Sequence, residues 1–456
     1  ETVETVAKAF ETAGSDAWWE QPTEAFLGKD FKCPHCGGSE GFEKETDIMD
    51  VWFDSGSTHA AVVDQRKDEL GGTPVEMYLE GSDQHRGWFQ SSLLTSVALH
   101  DRAPYKTVLT HGFVVDENGR KMSKSVGNVV EPQDVIKQYG ADVLRLWVAS
   151  VDYTDDVRIG KNMLPQLAEV YRKLRNTARY LLGNLYDFDP AKDTVPYEKL
   201  GNLEKYILHR LQEVVQEVTE DFDRYEFFKF YQVLNNFCVV DLSSFYFDIA
   251  KDTLYTGKPE KRRAVQTVLH EILQVLVRML VPVTPHMAED IWQHMPAAVR
   301  GKEESVLLTD FPKPNKSYLK PELTDFWRDI IAVRSTVNKA LEQARATGKI
   351  GKSLDAQVVL GVDNAELAAK LKSLGAALAP LFITSQATVH GERKSVATGS
   401  DVLAQVDENG ILAVASPAAG TKCKRCWKST SDVGTNPKCP DICNDCCQAL
   451  AGSCCA

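Results

Sequence analysis

No run of 18 or more apolar residues occurs in the 456-residue sequence, so no membrane-spanning helix is expected. The first residues, Glu1-Thr2-Val3-Glu4, carry neither an initiator methionine nor a basic-then-apolar leader. A processed chain or a fragment is expected, and the motifs below favour a fragment. Positive charge is in deficit: 52 Lys and Arg stand against 64 Asp and Glu, a net charge of −12. That excludes a generic nucleic-acid coat but leaves room for local basic patches. Cysteine is scarce until late in the chain. Cys33, Cys36 and Cys238 are followed by eight more within the last 34 residues, unlike a secreted protein stapled through its loops. Internal repeats are absent too. With 43% hydrophobic and 25% charged residues, the composition is that of a globular protein, of about three domains at roughly 150 residues each.

The chain changes texture along its length. Residues 1–47 begin amphipathically, pass Trp18-Trp19 and reach the Cys33-Pro34-His35-Cys36 knuckle. From Asp47 to about Ser150, short apolar runs (77–79, 107–109) alternate with loops rich in Gly, Ser and Asp, and Trp88–His100 has helical spacing, an α/β pattern. Three apolar sets at helical spacing, within 164–181, 207–218 and 265–280, predict a helical bundle. Pro282 and Pro285 mark a break before a further short helix. Residues 301–320 read as a linker, 322–346 as another amphipathic helix, and 356–362 and 388–390 as strands.

The most informative stretch is Gly119-Arg120-Lys121-Met122-Ser123-Lys124-Ser125-Val126-Gly127-Asn128. Two lysines three apart flank small hydroxyl residues, with glycines on either side. This composition suits a loop that closes over a polyphosphate, since lysine places a point charge on a flexible stem. An arbitrary Lys-x-x-Lys would be a solvated basic turn. Upstream, Glu80-Gly81-Ser82-Asp83-Gln84 ends a strand ahead of a helix, where ligands collect in open α/β sheets. Gly81 allows close backbone approach, Glu80 can accept from an ammonium or ribose hydroxyl, and Asp83 and Gln84 add polar orientation. The plainer alternative is that Ser82 and Asp83 cap the helix.

Three strings together resemble the isoleucyl-tRNA synthetase family of class I aminoacyl-tRNA synthetases: Asp50-Val51-Trp52-Phe53-Asp54-Ser55-Gly56-Ser57, Tyr78–Phe89 and Lys121-Met122-Ser123-Lys124-Ser125. The resemblance extends over nearly the whole chain. It implies that Lys121 and Lys124 are catalytic, that Lys121, Ser123, Lys124 and Ser125 bind ATP, and that Glu80, Gly81, Asp83 and Gln84 bind the aminoacyl-adenylate. Trp52 and Trp88 would wall the isoleucine pocket, core packing being the alternative for each. The family's His-x-Gly-His string and its editing domain are not found in this sequence, so the chain is expected to be a C-terminal portion that is inactive alone.

Cys423-x-x-Cys426 and Cys443-x-x-Cys446, with 16 residues between the pairs, have zinc-ribbon spacing. Cys439 is a competing ligand; Cys447, Cys454 and Cys455 are bystanders. The resemblance implies that such a module contacts tRNA. Trp427, flanked by Lys424, Arg425 and Lys428, suits base stacking and phosphate contact, or packing on the ribbon. Cys33 and Cys36 form half a metal site, and Cys238, within apolar helix sequence, is expected to be a small core residue.

The expected fold is therefore α/β plus α: the C-terminal half of a Rossmann-like catalytic domain, an α-helical anticodon-binding bundle and a small zinc-binding module. The expected segments are 1–47, the return limb of the inserted editing region; 48–160, the catalytic half; 161–320, the anticodon-binding domain; 321–415, a junction domain; and 416–456, the zinc module. The basic face of the first bundle helix (Lys161, Arg172, Lys173, Arg175, Arg179) would meet tRNA, or simply water. The resemblance implies isoleucine–tRNA ligase activity with Zn²⁺ in the cysteine site, Mg²⁺ with ATP, the partners tRNA-Ile, ATP and L-isoleucine, no membrane, a monomer and a cytoplasmic location. The rivals are a valyl-tRNA synthetase and a non-catalytic tRNA-binding protein.

Overall fold

The computed structural model describes residues 2–160, 162–396 and 401–450. They fall into two compact units, Glu1–His111 and Gly112–Ala456. Lys161, Cys454 and Cys455 lie outside the described residues.

In the first unit, β1 (Val75–Gly81) and β2 (Tyr105–His111) pair in parallel, from Val75 opposite Tyr105 to Gly81 opposite His111. Parallel neighbours need a crossover, and the predicted helix Trp88–His100 supplies it. A short helix, Val51–Gly56, lies against that crossover. Its approach is so close that a Cβ at Gly56 would stand 2.6 Å from Ser91 Oγ and 2.9 Å from the Ser91 carbonyl carbon. Glycine is thus required at position 56 by contact rather than by dihedral angle. Asp50 caps this helix, accepting the Trp52 amide at 2.8 Å.

The second unit opens with β3 (Val114–Asp116) and β4 (Val157–Ile159), again parallel. Helices Pro132–Tyr139 and Ala141–Ser150 run between them, burying Val135, Val143 and Trp147. The three long amphipathic sets appear as helices Met163–Asn184, Asn202–Asp223 and Pro259–Leu280. Each buries its apolar stripe in one core that includes Leu181, Leu211, Val215, Leu269, Ile272 and Leu273. The break at the prolines precedes helix Pro285–Gln293, whose first amides are capped from another helix by Asp142.

Helical structure also fills 227–256, where the sequence shows apolar helix character around Cys238 but no bounded helix. Helix Phe227–Asn236 continues through a π-type stretch, Phe237–Tyr246, into helix Phe247–Thr256. Across 237–246 the winding departs from 3.6 residues per turn, while the flanking helices keep it. Cys238 sits fully buried in that stretch, and burial pushes its thiol up to about 12.

Residues 301–320 differ from the expected linker. Val306 is fully buried, the Asn315 amide donates to Gln212 Oε1 at 2.7 Å, and the Lys320 amide donates to His209 Nδ1 at 3.1 Å. Polar composition here reflects backbone groups tied to buried side chains rather than free solvation. Helix Pro321–Ala346 then leads to a four-stranded sheet of order β6-β5-β8-β7, with β5 Ala356–Val362, β6 Gln386–His390, β7 Ala404–Glu408 and β8 Ile411–Pro417. The β7–β8 hairpin turns at Asn409-Gly410, both at positive φ (53° and 74°). That Asn-Gly pair is a strong hairpin signal. A final small hairpin, β9 (Thr421–Lys422) and β10 (Ser429–Thr430), precedes helix Asn444–Leu450.

Candidate functional site

The first unit carries the Glu80 and tryptophan residues. Glu80 and Gly81 end β1, opposite Thr110 and His111 of β2. The Glu80 carboxylate takes the Gly81 amide at 3.0 Å and lies 3.9 Å from His111 Nε2. A Cβ on Gly81 would stand 2.7 Å from Asp83 Oδ1, so glycine there admits the Asp83 carboxylate against the chain. Helix capping falls to Gln84, whose Oε1 accepts the Trp88 amide at 2.9 Å. Neither Ser82 nor Asp83 makes that bond. Trp88 is half-buried: it stacks on Tyr78 at 4.2 Å and 7°, and its indole N–H donates to the Ser55 carbonyl at 3.0 Å. Trp52 remains 43% exposed, its ring so near Gly87 that a Cβ there would meet it at 3.0 Å. Trp52 and Trp88 are thus brought to one turn, with more apolar surface left open at Trp52.

The second unit carries the lysine loop. Asp116 and Asn128, which sequence reasoning missed, hold its two ends together. Asp116 accepts the amides of Asn118 and Arg120 at 2.9 and 2.8 Å and the Asn128 carboxamide at 3.0 Å. Those donors, Asn128 first, hold the Asp116 carboxyl below its usual range. Asn128 in turn accepts the Ser123 amide at 2.9 Å. The turn Asp116-Glu117-Asn118-Gly119, with Gly119 at φ 77°, carried the available signal in its composition. Met122 packs against the Val135–Trp147 core. Ser123 and Ser125 hydroxyls lie 3.1 Å apart. Lys121 and Lys124 are exposed, and among the described residues neither ammonium has a carboxylate partner. A fixed frame thus presents two unpaired positive charges beside two hydroxyls, a composition that can receive a polyanion.

At the C-terminal end, Cys423, Cys426, Cys443 and Cys446 are all buried, with sulfurs within 4.8 Å of one another. Cys426 and Cys443 Sγ are 3.8 Å apart, and the Cys443 amide donates to Cys423 Sγ at 3.3 Å. One pair sits on the β9–β10 hairpin and the other opens helix Asn444–Leu450. Burial drives the thiols of Cys426 and Cys443 upward, the latter to about 11. At Cys423 burial is outweighed by backbone N–H donors, Cys426 first, and the thiol is lowered. One thiolate is thus favoured and its neighbours resist ionisation. Four buried sulfurs so close fit a tetrahedral thiolate-binding cation, whose charge would relieve that resistance. Cys439 stands outside this cluster, and Cys447 accepts from Asn436 instead. No third ligand joins Cys33 and Cys36 among the described residues.

The cations around Trp427 are mostly engaged. Lys424 pairs with Asp441 at 2.7 Å, Lys428 with Asp252 at 2.5 Å, and Arg425 donates to the carbonyls of Thr256 and Tyr255. Arg425 and Lys428 therefore fasten the module to helix Phe247–Thr256. The cation over the ring comes from elsewhere: Lys352 Nζ lies 3.8 Å from the centroid of the half-exposed Trp427. On the first bundle helix, Arg172, Lys173, Arg175 and Arg179 all face outward, Arg172 paired with Glu169 at 2.8 Å.

Comparison with known proteins gives these arrangements a class. Residues 1–160 match the family of tRNA synthetases class I (I, L, M and V), and residues 204–360 match the anticodon-binding domain of tRNA ligase. The chain thus has a segment similar to class I aminoacyl-tRNA synthetases, followed by one similar to the anticodon-binding domain of tRNA ligases. More particularly, it is a homologue of isoleucine–tRNA ligases. It is 50% identical over 448 residues to that of Caldanaerobacter subterraneus subsp. tengcongensis, covering 98% of this chain and 47% of the relative. It is 49% identical over 465 residues to that of Gloeobacter violaceus, covering 99% and 46%. The chain thus spans about half the length of the curated relatives it matches. The crystal structure of a LeuRS–tRNA–LeuAMS ternary complex from Agrobacterium radiobacter K84 aligns with 63% of this chain and 35% of its own, at a TM-score of 0.51 and 22% identity, a likeness of fold. No helix among the described residues is long and apolar enough to cross a membrane.

Proposed function

We propose that this chain is the C-terminal portion of an isoleucine–tRNA ligase acting in translation in the cytoplasm as a monomer, with ATP, L-isoleucine and tRNA-Ile as its partners. The observation that carries this reading is the lysine loop: two unpaired lysines on a frame pinned by Asp116 and Asn128, in a chain about half identical to such ligases. In the whole enzyme, the isoleucine carboxylate oxygen attacks the α-phosphorus of ATP. The bond from that phosphorus to the bridging oxygen breaks, and pyrophosphate leaves. The ribose hydroxyl of the tRNA end then displaces AMP from the acyl carbon.

Catalysis of this kind is positioning and charge stabilisation. Lys124, aided by Lys121, neutralises the leaving pyrophosphate, and Ser123 and Ser125 donate to phosphate oxygens. Mg²⁺ accompanies the ATP. Glu80, Gly81, Asp83 and Gln84 hold the adenylate, and Trp52 and Trp88 flank the branched side chain. In this reading 1–47 belongs to the editing insertion, 48–160 to the Rossmann-like catalytic half, 161–320 to anticodon binding, 321–415 to a junction and 416–456 to a tRNA-contacting module. Cys423, Cys426, Cys443 and Cys446 suit Zn²⁺. The piece alone is inactive.

The test is Lys124→Ala in the full-length enzyme. Only contacts that strengthen in the transition state raise the chemical rate, so adenylate formation should slow by about 10²–10³. Transfer from preformed adenylate, where no pyrophosphate is present, should hardly change. Pyrophosphate exchange within about twofold of wild type would refute the assignment.

A further inference from the structure

Apart from the four cysteines, His59, Asp64 and His100 also stand together, each offering a ligand atom within 4.8 Å of the others. All three belong to the first unit. Residues His59–Val63 wind as a π turn, closed by the Asp64 amide donating to the His59 carbonyl at 3.0 Å. This i-to-i+5 winding brings the two side chains to one side, where ordinary helical winding would separate them. His100 approaches as the last residue of helix Trp88–His100. Its ring lies edge-on to that of His59, 5.7 Å between centroids.

His59 Nε2 lies 3.1 Å from Thr95 Oγ1. The Thr95 hydroxyl is also within donating distance of backbone carbonyls, that of Ser91 at 2.9 Å being the nearest. With its proton given to Ser91, Thr95 can accept from His59 Nε2–H, the tautomer that leaves the ring lone pair on Nδ1. His59 is 0% exposed, and its Nδ1 has no hydrogen-bond partner. A buried acceptor without a partner is uncommon and calls for an explanation.

The groups around it suit a cation. One Asp64 oxygen accepts the Thr73 amide at 3.0 Å; the other lies 3.5 Å from His100 Nε2. Neutral imidazole and ionised carboxylate are the forms in which these side chains bind a metal. The Nε2–H bond to Thr95 is the outer-shell support that metal-bound histidines have. Asp64 and His100 side chains are each 32% exposed, so an ion has a route in.

We propose that His59 Nδ1, an imidazole nitrogen of His100 and Asp64 Oδ2 form a binding site for a divalent cation of the zinc class, with one coordination position open to solvent. Two imidazoles and a carboxylate suit Zn²⁺ or Co²⁺ in preference to Mg²⁺ or Ca²⁺. This site is separate from the four-cysteine cluster in ligand chemistry.

The experiment uses the whole chain and Co²⁺ as probe, with zinc content measured in parallel. Sulfur-bound Co²⁺ gives intense thiolate charge-transfer absorption, whereas the His59 site gives only weak ligand-field bands. The expected result is one further equivalent of Co²⁺ or Zn²⁺ in wild type, lost in His100→Ala and in Asp64→Asn. Both variants change partly exposed residues, and unchanged circular dichroism verifies their folding. Thr95→Val, which removes the outer-shell acceptor, should weaken uptake by about 10–100-fold. Equal uptake by wild type and both ligand variants overturns the proposal, as does a further equivalent that shows only thiolate bands. Nδ1 would then hold a proton or a water.

Discussion

Residues 2–111 and the helical bundle hold their chain in opposite ways. In the bundle, long helices close one apolar core in which Leu211, Val215, Ile272 and Leu273 are fully buried. In the first unit the only buried apolar side chains among the described residues are Ala17, Phe26, Tyr78 and Phe89, while Ile48, Met49, Trp52, Phe53 and Leu79 are exposed. The contrast shows where each kind of sequence reading works. Periodicity finds helices whose faces are spent on a core. Motifs are legible where side chains are released from packing and left to chemistry, as at Glu80, Trp52 and Lys124.

Variants can sharpen or break that contrast, and the cysteine module at the far end should respond most. If a thiolate-bound cation substitutes for an apolar core there, Cys443→Ser/Cys446→Ser should abolish metal binding and the order of 421–450. The bundle should melt as before. Hydrogen exchange of the two segments decides, and unchanged protection in the module would show that it stands without metal.

Within the bundle, Leu273→Ala should cost about 2–5 kcal/mol of stability through the cavity it opens. A cost below about 1 kcal/mol in chemical denaturation would mean the core relaxes far more than its burial implies.

Acid should act on a different contact. The Arg262 guanidinium, at 2.5 and 2.9 Å, lowers the Asp187 carboxyl to about 2. A carboxyl lowered on folding stabilises above its unfolded pKa, near 4, and loses that stabilisation as pH falls towards 2. The loss should be about 2 kcal/mol over that window. Asp187→Asn should flatten the slope, and an unchanged slope would assign it to other carboxylates.

The smallest effect is expected at the lysine loop, where Asn128→Ala removes three hydrogen bonds from an exposed turn. Global stability should fall by no more than about 1 kcal/mol, while the Ser123 amide exchanges faster. Unaltered exchange would show that Asp116 alone keeps the loop in place.

Much of this architecture was legible before the fold. The helices at 163–184, 202–223 and 259–280, the crossover at 88–100 and the four-cysteine grouping follow from spacing alone. What escaped has physical causes. Apolar helix character around Cys238 was legible but the element's bounds were not, because residues 237–246 wind off the 3.6 period. The 301–320 segment looked free because its polar backbone is satisfied by His209 and Gln212, which are distant in sequence. Asp116 and Asn128 lie twelve residues apart, and no local pattern links them. The lysine-loop motif marked the charges but not the pair that holds them in place.

Helix Pro321–Ala346 has one further consequence. Its Trp327 stacks on Tyr206 at 5.3 Å, Arg334 reaches Asp248 at 3.2 Å, and Thr336 and Lys339 both bind Glu408 at the β7 end. One helix thus joins the bundle to the four-stranded sheet through continuous packing. A protease nicking the polar 301–320 segment would leave both products noncovalently bound. The cut would be visible only after denaturation, and a chain severed there would still sediment as one particle.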